Sequence, residues 1–69
     1  MDKIRISLVA ARVNAGLTQS EVANLMHVGK QTIASWEKGL SEPKITEARE
    51  LSRIYDMPLD NIFFETKSI

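Results

Sequence analysis

The chain has 69 residues, no cysteine, and equal numbers of basic and acidic residues, nine of each. This length suits one small domain over 1–69, and the lack of cysteine excludes a disulfide framework and a thiolate metal site. The N-terminus lacks the apolar stretch of a signal peptide, and no apolar run approaches the roughly 20 residues of a membrane span, so we expect a cytoplasmic protein without a membrane segment.

Apolar residues recur at helical spacing along almost the whole chain. In chain order this pattern predicts helices near 3–14, 19–26, 30–38, 45–55 and 58–63, followed by a loose tail over 65–69. We therefore expect an all-α fold, a compact bundle of five short helices.

Specific apolar side chains are expected to face the core of this bundle. The first predicted helix contributes Ile4 and Leu8, the fourth contributes Ile45 and Leu51, and the last contributes a set that comprises Leu59, Ile62 and Phe63. No strand-like alternation competes with the helical pattern.

Residues 18–38 form the most informative segment, two short helices joined by a tight turn. Thr18 followed by Glu21 is a capping box, in which each side chain satisfies a backbone N–H at the helix start. Ala23 supplies the small side chain needed where two helices approach closely. The apolar residues expected to fix the angle between the helices are Val22, Met26, Val28, Ile33 and Trp36.

The start of the third helix has a polar face that suits the base edges of a DNA major groove. Lys30 can donate to guanine O6 and N7, and Gln31 can pair bidentately with adenine. Thr32 and Ser35, the latter at i+4 from Gln31, can reach a thymine methyl group, a phosphate or either kind of base.

Charge is distributed unevenly along the chain. Residues 3–44 hold six basic and three acidic side chains, whereas residues 45–69 hold three basic and five acidic ones. A basic segment 3–44 and an acidic segment 45–69 would orient the molecule on a polyanion, although an ordinary solvated surface explains the same charges.

The segments that carry a family resemblance are Gly16–Gln19, Val22–Ala23, Met26, Val28, Gln31–Ile33, Trp36–Gly39, Glu42–Pro43 and Pro58–Phe63. This pattern resembles the Cro/repressor-type, xenobiotic-response-element-like helix-turn-helix family and covers roughly residues 4–64. The resemblance implies a lambda-repressor-like DNA-binding domain, with the third helix in the major groove of double-stranded DNA. It also implies a two-fold homodimer on a palindromic operator.

The resemblance also implies roles for individual residues. Gln19 matches the family residue that holds a phosphate near a helix N-terminus. Arg12 and Glu37 match a structural ion pair between the first and third helices. The residues expected to contact DNA phosphates are Arg12, Gln19, Lys38, Ser41 and Lys44.

Three residues depart from the family pattern. His27 stands at the turn position usually held by glycine, and histidine tolerates a positive φ less well than glycine does. Gly29 replaces the usual serine or threonine cap of the third helix, so that its first turn lacks a side-chain acceptor. Lys44 replaces a frequent serine cap of the fourth helix.

The leading interpretation is a sequence-specific transcriptional regulator, most simply a small stand-alone repressor without cofactor, metal or small-molecule ligand. No nucleophile, acid–base set or metal-ligand cluster indicates an enzyme. The alternative is a protein-interaction module, such as an antirepressor or an antitoxin partner. Phe64, with Leu59 or Ile69, is a candidate apolar patch for dimerisation.

Overall fold

The computed structural model describes residues 5–64, and within them the chain forms four α-helices and one two-stranded sheet. The elements in chain order are β1 (Ile6–Ser7), α1 (Leu8–Asn14), α2 (Gln19–Met26), α3 (Lys30–Lys38), α4 (Ile45–Ile54), a 3-10 turn (Leu59–Asn61) and β2 (Ile62–Phe63). The tail at 65–69 and the predicted core residue Ile4 lie outside the described residues.

The prediction of a fifth helix was wrong. Proline 58 is followed by a 3-10 turn of three residues, after which Ile62 adopts an extended backbone with φ −103° and ψ 125°. Strand β2 then pairs in parallel with β1, Ile6 opposite Ile62 and Ser7 opposite Phe63. A pair of two-residue strands is too short to produce a readable alternation of polar and apolar residues.

The same sheet shortens the first helix. Ser7 has an extended backbone and its side chain accepts from the backbone N–H of Ala10 at 3.1 Å, so α1 begins at Leu8. A serine in this position satisfies one of the orphan donors at the helix start. The predicted start near residue 3 was therefore too early.

Two side chains predicted to face inward are largely exposed. Phe63 is 49% exposed while Ile62 is buried, because successive residues of a strand point to opposite faces. Phe64, the next residue, packs against the edge of the core. Ile45, at the first position of α4, is 59% exposed because the core lies against the next turn, at Ala48.

The core joins all four helices and the sheet. Its buried members are Leu8, Ala11, Val22, Ala23, Ile33, Trp36, Leu51, Tyr55 and Ile62. The predicted packing between α2 and α3 is confirmed for Val22, Ala23, Ile33 and Trp36, while Met26 and Val28 are half-buried beside them. Among residues 5–64, no helix combines the length and the apolar composition that crossing a membrane requires.

Candidate nucleic-acid interface

The predicted capping box fixes the start of α2. The backbone N–H of Glu21 donates to Thr18 Oγ1 at 3.1 Å, and the backbone N–H of Thr18 donates to Glu21 Oε1 at 2.8 Å. These two bonds satisfy donors that the first helical turn leaves without partners. The two bonds therefore make Thr18 the cap of α2 and Gln19 its first residue.

The turn between α2 and α3 is formed by His27 and Gly29. His27 occupies the left-handed region at φ 58° and ψ 41°, and the next residue closes the helix end, because the Val28 N–H donates to Ala23 O at 3.0 Å. Gly29 has an ordinary extended conformation and provides no side-chain acceptor to α3. The third helix thus starts without the side-chain cap that most helices of this kind would receive.

Helix α3 separates a buried apolar stripe from a polar face. Ile33 and Trp36 are buried in the core, which fixes how the helix rotates about its axis. Of the residues expected to read bases, Lys30 and Gln31 are exposed and Thr32 and Ser35 are half-buried. The first turn of α3 is therefore accessible to solvent at Lys30 and Gln31.

A polar network connects α1, α2 and α3 at Glu37. Arg12 Nε donates to Glu37 Oε2 at 2.8 Å, and Gln19 Nε2 donates to Glu37 Oε1 at 2.8 Å. Arg12 also donates to the Leu17 carbonyl at 3.0 Å. The hydrogen bond that Arg12 donates to Glu37, and the negative charge of Glu37, raise the pKa of Arg12 against the opposing effect of burial.

This network changes what can be expected of Arg12 and Gln19 as phosphate ligands. All three nitrogens of the Arg12 guanidinium donate to Glu37 or to the Leu17 carbonyl. The carboxamide nitrogen of Gln19 also uses one hydrogen on Glu37. The geometry therefore supports a role for both side chains in holding the helices together. The Gln19 bond was missed, since nothing in the sequence spacing pairs these two positions.

A second polar contact connects α3 to the loop that follows it. The hydroxyl oxygens of Ser35 and Ser41 lie 2.9 Å apart. Between them Gly39 ends α3 in the left-handed region at φ 75°, which turns the chain back toward the helix. The structure thus brings together one residue predicted to read bases and one predicted to contact phosphate.

The two predicted lysine contacts are accessible. Lys38 lies in the last turn of α3 and Lys44 immediately precedes α4, and both are exposed. The backbone N–H of Lys44 donates to Glu47 Oε1 at 2.8 Å, which fixes the start of α4 although the lysine side chain is no acceptor. Among residues 5–64, no cluster of three or more potential metal ligands occurs.

An apolar groove of about 410 Å³ lies between the start of α4 and the segment 59–64. Its walls comprise Glu42, Pro43, Ile45, Ala48, Leu59 and Phe64. Two of the three predicted patch residues, Leu59 and Phe64, line this groove, while Ile69 lies outside the described residues. The contribution of Ile45 was missed, because helical spacing placed it in the core.

Comparison with known proteins places these features in a family. The model of the helix-turn-helix family matches residues 8–62. The chain is 35% identical over 57 residues to the cryptic phage CTXphi transcriptional repressor RstR of Vibrio cholerae, a match that covers 83% of this chain and 51% of that protein. The chain thus spans about half the length of this relative.

A second relative is of archaeal origin. The chain is 31% identical over 52 residues to an uncharacterized HTH-type transcriptional regulator of Archaeoglobus fulgidus, covering 75% of this chain and 74% of that protein. No solved structure matches the chain at a significant level.

Proposed function

The chain belongs to the helix-turn-helix family, whose members are DNA-binding transcription regulators, and we propose that it is a sequence-specific repressor that occupies a DNA operator. It acts by binding and not by catalysis, in the cytoplasm. The observation that carries this proposal is the α2–turn–α3 unit, in which buried Ile33 and Trp36 turn the polar face of α3 outward.

Helix α3 enters the major groove with its first turn. Lys30 and Gln31 are exposed at this turn, and their side chains match guanine and adenine edges respectively. Thr32 and Ser35 complete the base-reading set from the following positions. Because Gly29 lacks a cap side chain, the final geometry of this turn is set by DNA contact.

Phosphate contacts position the domain on the duplex without reading its sequence. Lys38, Ser41 and Lys44 supply them from the end of α3 and the start of α4. Arg12 and Gln19 act mainly through Glu37, and we propose that their remaining N–H groups contact DNA phosphates, as the family resemblance implies. The zero net charge of the chain is compatible with binding, because six of its nine basic residues lie within 3–44.

The regulator acts as a homodimer, as recognition of a palindromic operator requires. The groove lined by Ile45, Leu59 and Phe64 supports this proposal, because Ile45 is exposed and Leu59 and Phe64 are only half-buried, so a second chain would remove further apolar surface from water. The same groove favours the second candidate function, in which a different protein occupies it. An antirepressor or an antitoxin partner would then be the main ligand.

One experiment separates these functions. The protein is used to select sequences from a random pool of duplex DNA, and its affinity for the enriched site is measured at several salt concentrations. A repressor enriches a two-fold symmetric site, and its affinity falls steeply with salt because condensed counterions are released. Enrichment of no sequence at low salt, together with a stable complex with another protein, would favour the interaction module.

Two variants assign the contacts on the enriched site. Gln31→Ala is expected to relax specificity at one base pair at a cost of about 1–3 kcal/mol. Lys44→Ala is expected to weaken all sequences equally and to reduce the salt slope by about one. An unchanged ranking of operator variants with Gln31→Ala would show that this residue does not read a base.

A further inference from the structure

The contact between Ser35 and Ser41 carries an inference that deepens the proposed function and rests on it. Ser35 lies on α3 one turn after Gln31, in the predicted base-reading set, and Ser41 lies on the exposed loop after Gly39. Their hydroxyl oxygens are 2.9 Å apart, a normal distance for an O–H···O hydrogen bond. We propose that Ser41 is a positioning residue that makes Ser35 select an amino-bearing base.

The two hydroxyl groups of the pair have only two hydrogens between them. Each serine has one hydrogen to donate and two lone pairs to accept with. The Ser35–Ser41 bond uses one of the two hydrogens, so the pair offers a single hydrogen to any further partner. The partner that accepts this hydrogen determines which serine donates and which accepts in the Ser35–Ser41 bond.

A phosphate fixes the direction, because its oxygens accept hydrogen bonds and do not donate them. Ser41, the exposed member, gives its hydrogen to the phosphate and must then accept from Ser35. Ser35 has donated its only hydrogen, and its oxygen is left as an acceptor. Successive hydrogen bonds in such a chain polarise and strengthen one another.

An acceptor in the major groove discriminates between bases. Adenine N6 and cytosine N4 present donors there, whereas guanine O6 and thymine O4 present acceptors. The polarised Ser35 hydroxyl therefore favours adenine or cytosine at the base it contacts. A serine without this partner can rotate to donate or accept, or can bond back to the carbonyl of Gln31 one turn earlier, and discriminates less.

The test uses the site enriched by the unmodified protein and its single base-pair variants. Affinity is measured for the wild-type protein, Ser35→Ala, Ser41→Ala, Ser41→Thr and the double alanine variant. We expect Ser41→Ala to reduce the preference for an amino-bearing base at one position about three- to tenfold, the range for loss of one hydrogen bond. Ser35→Ala is expected to affect the same position, the double variant no more than either, and Ser41→Thr to retain the preference.

Lys44→Ala is the matched control, because it removes a proposed phosphate contact without touching Ser35. It is expected to lower affinity for every sequence by the same factor. If Ser41→Ala behaves like Lys44→Ala and leaves base preference unchanged, Ser41 is a phosphate contact only and the inference is overturned. The same holds if exchanging the two bases of the pair at the Ser35 position, which moves the amino group to the opposite strand, leaves the affinity unchanged.

Failure of the proposed function would look different, since the wild-type protein would then enrich no site at all. Loss of folding is separated from both outcomes by thermal unfolding of each variant. Ser41 is exposed, so Ser41→Ala should unfold at the wild-type temperature.

Discussion

The Nε atom of Arg12 lies 2.8 Å from Oε2 of Glu37, although the two residues are 25 positions apart in the sequence. Their side chains are only 15% and 5% exposed, respectively. The pair joins α1 to α3, and Gln19 joins α2 to the same carboxylate. A carboxylate on the face that we propose to contact DNA would otherwise repel phosphate. Pairing with Arg12 removes that repulsion and ties the proposed recognition helix to the rest of the bundle.

Removal of this carboxylate should weaken both stability and binding. Glu37→Ala leaves the Arg12 guanidinium without its main partner in a largely buried place. We expect the free energy of unfolding to fall by about 1.5–3 kcal/mol, the range for hydrogen bonds to charged groups. Urea unfolding followed by the fluorescence of Trp36, the single tryptophan, measures the change. DNA affinity should fall with it, since α3 loses its tie to α1.

The surface pair Glu50 and Arg53 provides the control for this prediction. These side chains form an ion pair on α4 and are 37% and 72% exposed. Exposed pairs contribute little because water and salt screen them. Glu50→Ala should therefore change stability far less than Glu37→Ala, and equal effects of the two substitutions would contradict a special role for Glu37.

The raised pKa of Tyr55 predicts how the stability of the fold depends on pH. Its side chain is buried at the C-terminal end of α4, and burial, followed by the nearby charge of Glu37, raises its pKa from 10.0 to about 12. A pKa that is higher in the folded state means that stability is fully present below pH 10 and is lost as the pH rises toward 12. The folded state resists ionisation of this phenol, whereas the unfolded chain does not.

Tyr55 is the single tyrosine, so its ionisation can be followed directly by absorbance. We expect a midpoint near 12 in the folded protein and near 10 after unfolding in urea. The variant Tyr55→Phe separates the effect of this phenol from that of other groups. This variant should lose less stability between pH 10 and 12 than the wild-type protein. Identical pH profiles would show that Tyr55 is not the group responsible.

The sequence predicted the parts of the fold that rest on local rules. Helix α2 follows from the Thr18–Glu21 box, and the buried stripe of α3 follows from the spacing of Ile33 and Trp36. The segment 59–63 could not be predicted in this way, because a contact between distant segments, Ile6 with Ile62, outweighs the helical pattern. The same contact explains why Phe63 is exposed and Phe64 packs against the core, the opposite of the prediction. Successive residues of a strand point to opposite faces, whereas residues of a helix do not follow this alternation.

The candidate site, like the fold, could be predicted from the sequence only where local rules apply. Exposure of Lys30 and Gln31 follows from helical periodicity. The Gln19–Glu37 and Ser35–Ser41 hydrogen bonds depend on how separate elements meet, and no spacing in the sequence encodes them.

Gly29 should be a site where stability can be increased. Its φ of −77° suits any residue, and a Cβ added there would have no atom within 4 Å. Gly29→Ser would supply the missing cap of α3 and reduce the freedom of the unfolded chain. We expect a gain of about 0.5–1 kcal/mol in the free energy of unfolding. Slower hydrogen exchange at the first amides of α3 would show that the gain comes from this helix end.

Gly16 is the matched control for that substitution. A Cβ added there also has no neighbour within 4 Å, but the φ of Gly16 is +74°. Gly16→Ala should therefore destabilise the protein by about 1–2 kcal/mol, the cost of a side chain in the left-handed region. A stabilising effect at Gly16, or a destabilising one at Gly29, would contradict the backbone conformation on which both predictions rest.

Ile45 offers the sharpest test of the proposed dimer. Its side chain is 59% exposed at the rim of the groove that Leu59 and Phe64 line, so folding of one chain depends little on it. Ile45→Glu would place a carboxylate in the dimer interface, where burial without a partner is costly. We expect at least a tenfold weaker dimer, equivalent to about 1.4 kcal/mol, by sedimentation.

Val13→Glu is the control, because Val13 is a β-branched helix residue of the same exposure, 60%, and lies on α1 outside the groove. It introduces the same charge and should leave the dimer intact. On DNA, Ile45→Glu should convert cooperative binding of two half-sites into independent binding of each half-site. Equal effects of the two variants on association would place the interface elsewhere. A wild-type protein that remains monomeric both free and on its operator would exclude the homodimer.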